Sequence, residues 1–273
     1  MITFPNAKIN LGLNIVERRP DGYHNIETVF FPIPLTDMLE IVPVSSGDAS
    51  LSCYGNPVDC PPEKNLVMRA YRLMEQRYGL PPVAMHLYKH IPDGAGLGGG
   101  SSDAAHVLVM LNKMFDLKLD DDELAAMAVT LGADCAFFIY NRPMLATGLG
   151  NVLSPVNVNL QGKTLLLVKP PVGVDTRTAY SRVVPAPSTV DLARTISQPV
   201  EMWDGLLVND FEPSVFAALP QLWLIKARLL DAGAQYAAMS GSGSTVFGIF
   251  ESDKLAGATA DTFADCATFV LQL

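Results

Sequence analysis

The chain has 273 residues, 49% hydrophobic and 17% charged, a balance that supplies a core and excludes an intrinsically disordered protein. At ~150 residues per domain the length suits one or two domains. The net charge of -9 disfavours a general nucleic-acid binder, whose domains carry basic patches, so no nucleic-acid partner is expected. Cys53, Cys60, Cys135 and Cys266 are scattered without paired spacing and read as free thiols of a reducing compartment. Met1 to Lys8 holds no basic and then apolar leader, and no apolar run approaches the ~20 residues of a membrane helix. A cytoplasmic protein with no membrane partner is expected, and its oligomeric state is not legible.

Residues 7–15 alternate strictly: Ala7, Ile9, Leu11, Leu13 and Ile15 are apolar, while Lys8, Asn10 and Asn14 share the other face. This period of two predicts a strand with its polar face turned away from the core. A turn at Pro20-Asp21-Gly22 leads to a second strand at 26–31, and further strands are predicted at 38–44, 51–54 and 83–90. A helix is predicted from Asn65 to Tyr78, closed by Gly79. After the glycine run described below, an apolar helix spans about 103–115. Asp120 and Glu123 have capping-box spacing and open another helix, which ends at Leu131-Gly132.

The polar stretch 151–162 marks a soft boundary, dividing the chain into domains 1–155 and 156–273. The second half begins with a strand at 164–169. Helices near 176–184, 188–197, 204–218 and 221–232 follow, then a strand at 235–240 and a second glycine loop, Gly241-Ser242-Gly243-Ser244. A strand at 245–250, a helix near 253–264 and a strand at 267–271 finish the order. Strands mixed with helices in this way indicate an α+β fold.

Between the strand at 83–90 and the helix at 103–115 the chain reads Pro92-Asp93-Gly94-Ala95-Gly96-Leu97-Gly98-Gly99-Gly100-Ser101-Ser102. Bare backbone amides at a helix N-terminus make an anion site, and glycine leaves the approach open to a phosphate. The simpler alternative is a tight connection. No Gly-Lys-Ser/Thr follows, so this is not a Walker A loop. Gly94, Gly96 and Gly99 satisfy the dinucleotide fingerprint, but residues 103–131 read as two helices where that unit needs a strand.

Pro92 to Ser102 with Asp103-Ala104-Ala105 resembles the phosphate loop of the GHMP kinase superfamily (galactokinase, homoserine kinase, mevalonate kinase and relatives). Ala7-Lys8-Ile9-Asn10-Leu11, Arg19 to His24, Leu131 to Asp134 and Met239 to Gly248 narrow the resemblance to the branch that phosphorylates a cytidine-diphosphate-bearing sugar alcohol. The motifs occur in order through nearly the whole chain. One departure is Cys135-Ala136, where that branch usually has Val-Pro.

The resemblance implies a two-domain GHMP kinase fold, with an N-terminal ribosomal-protein-S5-like α/β domain, a C-terminal ferredoxin-like α+β domain and an active site in the cleft between them. It implies ATP-dependent phosphorylation of a 2-hydroxyl in the non-mevalonate route to isoprenoid precursors. Mg²⁺ would be carried by the ATP, without a dedicated metal site on the protein. Lys8 and Asp134 become the catalytic cation and base. Pro92 to Ser102 and Asn65 become nucleotide contacts, while Asn10, Tyr23, His24, Tyr180, Gly241 and Ser242 become contacts of the cytidyl substrate. Several have a plainer reading: an exposed strand lysine at Lys8, an N-cap at Asp134 or Asn65, helix packing at Tyr180, a turn at 241–244. A homoserine or mevalonate type of GHMP kinase, a nucleotide-binding regulatory module and a dinucleotide oxidoreductase stay open as alternatives. His86 with His90, and Asp120 to Glu123, lack the context of a metal site.

Overall fold

The computed structural model describes residues 1–58 and 60–273. In chain order its strands are β1 (Ile2–Thr3), β2 (Asn6–Arg18), β3 (His24–Thr36), β4 (Met38–Pro43), β5 (Ser50–Gly55), β6 (Val83–Lys89), β7 (Met144–Thr147), β8 (Val152–Pro155), β9 (Thr164–Lys169), β10 (Tyr236–Met239), β11 (Val246–Phe250) and β12 (Ala267–Gln272). The helices are α1 (Leu66–Tyr78), α2 (Gly99–Met114), α3 (Asp121–Val129), α4 (Cys135–Tyr140), α5 (Thr176–Arg182), α6 (Leu192–Ile196), α7 (Glu212–Ala218), α8 (Pro220–Asp231) and α9 (Asp253–Ala260). By contact the chain forms two compact units that are each discontinuous in sequence: one comprises 1–7, 35–93 and 98–142, the other 8–34, 94–97 and 143–273.

The first unit is built on a sheet of order β1-β4-β6-β5, in which β5 and β6 run parallel and the other pairs antiparallel. Leu39, Ile41, Val83, Met85 and Leu87 fill its inner face, and Met38, Val42 and Tyr88 stand exposed on the other. This is the alternation expected of a half-buried sheet. The helices start and stop where the sequence signals them. The Asn65 carboxamide accepts from Val67 N at 2.9 Å to cap α1, and Gly79 closes it in the left-handed conformation (φ 66°). Asp120 and Glu123 exchange side-chain to backbone bonds of 2.8 and 2.9 Å at the start of α3, so the acidic run is a helix cap. His86 stacks on Tyr54 with ring centroids 6.3 Å apart, a sheet-surface contact.

The second unit holds two sheets, β2-β3-β7-β8 and β10-β11-β9-β12, the latter antiparallel throughout. Leu166, Val168, Met239, Val246 and Phe250 pack with Leu222, Ile225 and Leu229 of α8 and with Phe211 and Val215 into one core.

Several sequence expectations shift. The helix predicted at 204–218 forms only from Glu212, because Leu13 of β2 donates its N–H to Val208 O and accepts at its carbonyl from Asp210 N, each 2.8 Å. Strand-like pairing there overrides helical periodicity. The helix predicted at 188–197 is confined to 192–196, and that at 103–115 begins four residues earlier, inside the glycine run. Helix α4 has no period to detect, since Cys135, Ala136, Phe137, Phe138 and Ile139 are all buried. Cys135 and Ala136 form its first turn, so the helix starts without the usual proline. The polar face of β2 is also no solvent face: Lys8, Asn10 and Asn14 are 3%, 3% and 7% exposed.

Candidate active site

In the second unit the buried polar residues of β2 are joined in a chain. The Lys8 ammonium donates to Asn10 Oδ1 at 2.6 Å and lies 4.9 Å from the Phe30 ring centre. The Asn10 amide nitrogen donates to Thr28 Oγ1 at 3.0 Å, and the Thr28 hydroxyl donates to Gly12 O at 2.5 Å. Asn10 is thereby oriented by Thr28 and in turn orients Lys8. A buried lysine with an aimed ammonium differs from the mobile, exposed lysine of an ordinary strand.

The segment 94–97 is stitched to this strand and to the second glycine loop. Lys8 N donates to Leu97 O at 2.9 Å, Thr245 N to Ala95 O at 3.3 Å, and the Ser240 hydroxyl to Gly96 O at 2.9 Å while accepting from Asn10 N at 3.3 Å. Gly96 adopts φ 76°, and a Cβ there would collide with the Ser240 carbonyl oxygen, so only glycine permits this approach. Asn209 donates to Met239 O at 2.7 Å and to Gly241 O at 2.8 Å, fixing the loop, and the Ser242 hydroxyl lies 3.0 Å from Thr176 Oγ1.

The aromatic candidates of this unit divide. His24 and Tyr180 stack on each other, centroids 5.0 Å apart and 21° between planes, and Tyr180 meets Phe211 edge-on at 4.8 Å. Tyr23 is 66% exposed beside them in sequence, its backbone amide held by Asp21 Oδ1 at 3.1 Å. Burial lowers the His24 imidazole from its ordinary value of 6.5, and Arg18 acts in the same direction. The ring is therefore mostly neutral at pH 7, with one donor and one acceptor nitrogen.

In the first unit, Pro92 and Asp93 follow β6, and Gly98 to Ser102 form the opening of α2, with Gly98 left-handed (φ 71°) in the N-cap position. A Cβ on Gly100 would lie 3.9 Å from Leu66 Cδ1, next to the cap residue Asn65. Asp134 stands immediately before α4 without capping that helix through its side chain. Its neighbour Cys135 is wholly buried, and burial pushes the thiol up to about 11, so it remains protonated near neutral pH.

Behind the start of α2 lies a buried ionic cluster that the sequence reading overlooks. Lys89 Nζ donates to Asp37 Oδ2 and, at 2.7 Å, to Asp103 Oδ2; Asp37 Oδ1 accepts from His90 N at 2.6 Å and Ile91 N at 2.8 Å. Burial acts to lower the Lys89 ammonium, but Asp103 and Asp37 outweigh it and leave it raised. Burial pushes the Asp103 carboxyl above the usual carboxylate range, against the pull of Lys89. A signal was present: Lys89 falls on the same strand face as Val83, Met85 and Leu87, and a lysine on a buried face requires a counter-charge.

Two family descriptions match the chain: GHMP kinases N terminal domain over residues 65–142 and GHMP kinases C terminal over 195–265. The fold and its glycine-rich helix start are thus those of a GHMP kinase. Among named relatives, the 4-diphosphocytidyl-2-C-methyl-D-erythritol kinase of Bacteroides fragilis is 54% identical over 256 residues, 93% of each chain. That of Parabacteroides distasonis is 55% identical over 251 residues, 92% of each. A crystal structure of 4-(cytidine 5'-diphospho)-2C-methyl-D-erythritol kinase superposes with a TM-score of 0.85 at 34% identity, covering 99% of this chain and 98% of that one. The chain belongs to the 4-diphosphocytidyl-2-C-methyl-D-erythritol kinase family.

Proposed function

We propose that the chain transfers the γ-phosphoryl group of ATP to the 2-hydroxyl of 4-diphosphocytidyl-2-C-methyl-D-erythritol, in the cytoplasm, as a step of the non-mevalonate route to isoprenoid precursors. The observation that carries this reading is the likeness, along nearly the whole chain, to kinases of that name. Asp134 accepts the hydroxyl proton, and Lys8 supplies positive charge to the moving phosphoryl group. The buried Lys8–Asn10–Thr28 chain supports that role, because an aimed ammonium needs no reorganisation during transfer. Pro92 to Ser102 and Asn65 hold the nucleotide, with the amides opening α2 as the phosphate cradle. Tyr23, His24 and Tyr180 read the cytosine, where a neutral imidazole can hydrogen-bond a base edge. Asn10, Gly241 and Ser242 face the rest of the substrate. The proposed division at residue 155 falls between the two matched family segments.

Mg²⁺ enters with ATP. The ion is assigned to the nucleotide phosphates, as magnesium is commonly bound in kinase sites. Bound there, it offsets phosphate charge. No helix among the described residues is long and apolar enough to cross a membrane.

The test is to incubate the protein with Mg-ATP and the cytidyl substrate and follow the phosphorylated product, with homoserine and mevalonate in parallel. Product from the cytidyl substrate alone is expected. Turnover of either of the other alcohols in its place would overturn the assignment.

A further inference from the structure

Asp103, Lys89 and Asp37 take no part in the chemistry proposed above, yet they join both stems of the glycine run. Lys89 is the last residue of β6, and Asp37 accepts from the next two backbone amides, His90 and Ile91. Asp103 lies one turn inside α2, on the far side of the run, and is tied to the same ammonium at 2.7 Å. The first turn of α2 rests on this cluster: a Cβ on Gly99 would lie 3.0 Å from Ile91 Cγ2 and 3.2 Å from Lys89 Nζ. All three side chains are buried, Asp37 and Asp103 to 1% exposure and Lys89 to 4%, and among the described residues Asp103 Oδ1 has no hydrogen-bond partner. Holding these charges out of water is costly, and apolar residues of similar size would serve stability as well or better. A directional device, in contrast, gains from a bond of fixed length and angle.

We infer that Asp103 is a positioning residue for nucleotide binding: through Lys89 and Asp37 it sets the distance between the end of β6 and the first turn of α2, and so the aim of the backbone amides that receive the ATP phosphates. The inference rests on the reading of 92–102 as the nucleotide site. It distinguishes Asp103 from Lys8 and Asp134, because Asp103 touches no reacting atom and acts on affinity for one substrate only.

The experiment compares the parent protein with Asp103→Ala, Asp103→Leu and Asp103→Asn in steady-state kinetics with both substrates, and in direct titration with ADP. Asparagine keeps an acceptor oxygen for Lys89; alanine and leucine do not, and leucine fills the space that alanine leaves empty. A misplacement of about 1 Å in a positioning element costs up to ~10²-fold. Accordingly, Asp103→Ala and Asp103→Leu are expected to raise KM for ATP and Kd for ADP about tenfold or more, with kcat and the KM of the cytidyl substrate within about twofold, and Asp103→Asn to return most of the loss. Parent-like ADP binding in a folded Asp103→Ala or Asp103→Leu protein would overturn the inference. So would parallel rises in both KM values, or an Asp103→Asn variant no better than leucine. If alanine and leucine both prevent folding, Asp103→Asn decides alone: weakened ADP binding overturns the tie, and near-parent binding upholds it. A parent protein that binds no ADP would instead refute the reading of the site.

Discussion

Asp134 occupies the position where an aspartate ordinarily caps a helix, and its side chain makes no capping bond to α4. In the role proposed for it, Asp134→Asn removes a proton acceptor without removing a capping bond. General-base assistance is worth about 10²–10⁴-fold, so kcat should fall by that order. Lys8→Met keeps the length of the side chain but strips the donor from Asn10 Oδ1; it should lower kcat at least as far and also cost stability. If the two residues act together as proposed, the double variant should be little slower than the poorer single. The check is single-turnover kinetics alongside thermal melting, and near-parent turnover by Asp134→Asn would leave phosphoryl transfer to positioning alone.

Within α2, adjacent glycines offer opposite experiments. Gly99 has no room, with Ile91 Cγ2 3.0 Å from an added Cβ, so Gly99→Val should damage packing and nucleotide binding together. Among the described residues, a Cβ added at Gly100 meets nothing nearer than Leu66 Cδ1 at 3.9 Å. Alanine is favoured over glycine in a helix by roughly 0.5–1 kcal/mol, so Gly100→Ala should fold as well as the parent. A methyl group beside the proposed cradle should still weaken ATP binding severalfold in a calorimetric titration. Unchanged affinity would place the phosphates away from this turn.

The same helix carries His106, whose Nδ1 lies 2.9 Å from Ser102 O. Burial lowers its imidazole from 6.5, opposed by the Ser102 contact. The folded protein then binds this proton less readily than the unfolded chain, so stability is intact above pH 6.5 and is lost as pH falls below that value toward the lowered one. Denaturant titrations between pH 7 and about 5 should show a steeper loss for the parent than for His106→Gln. Equal slopes would mean that the imidazole titrates normally in the folded state.

At the scale of the molecule, each contact unit has its own core and can be tested separately. Trp203 is wholly buried in the second unit, edge-on to Tyr236 at 5.7 Å, with its indole nitrogen donating to Gln198 O at 3.0 Å. Trp203→Ala should cost about 3–5 kcal/mol in equilibrium unfolding, against little for Trp223→Ala, whose side chain is 55% exposed. Equal costs would mean that the second core does not limit stability.

The local grammar of the chain was open to reading without coordinates. The alternation of β2, the Asn65 and Asp120 caps, the Gly79 stop and the glycine run opening α2 all rest on short-range geometry that a few neighbouring residues settle. The roles proposed for Lys8 and Asp134 rest on resemblance, since a lysine on a strand and an aspartate before a helix are each commonplace. What tertiary structure alone decided depends on partners far away in sequence. Residues 208–210 give up a helix to pair with β2; α4 shows no period because every side is covered; and Lys89 finds Asp37 across 52 residues and Asp103 across 14. A side chain's charge and size are written at its own position. Whether that charge is buried, and against which partner, depends on which strands pair, and pairing is fixed only when the entire chain has packed.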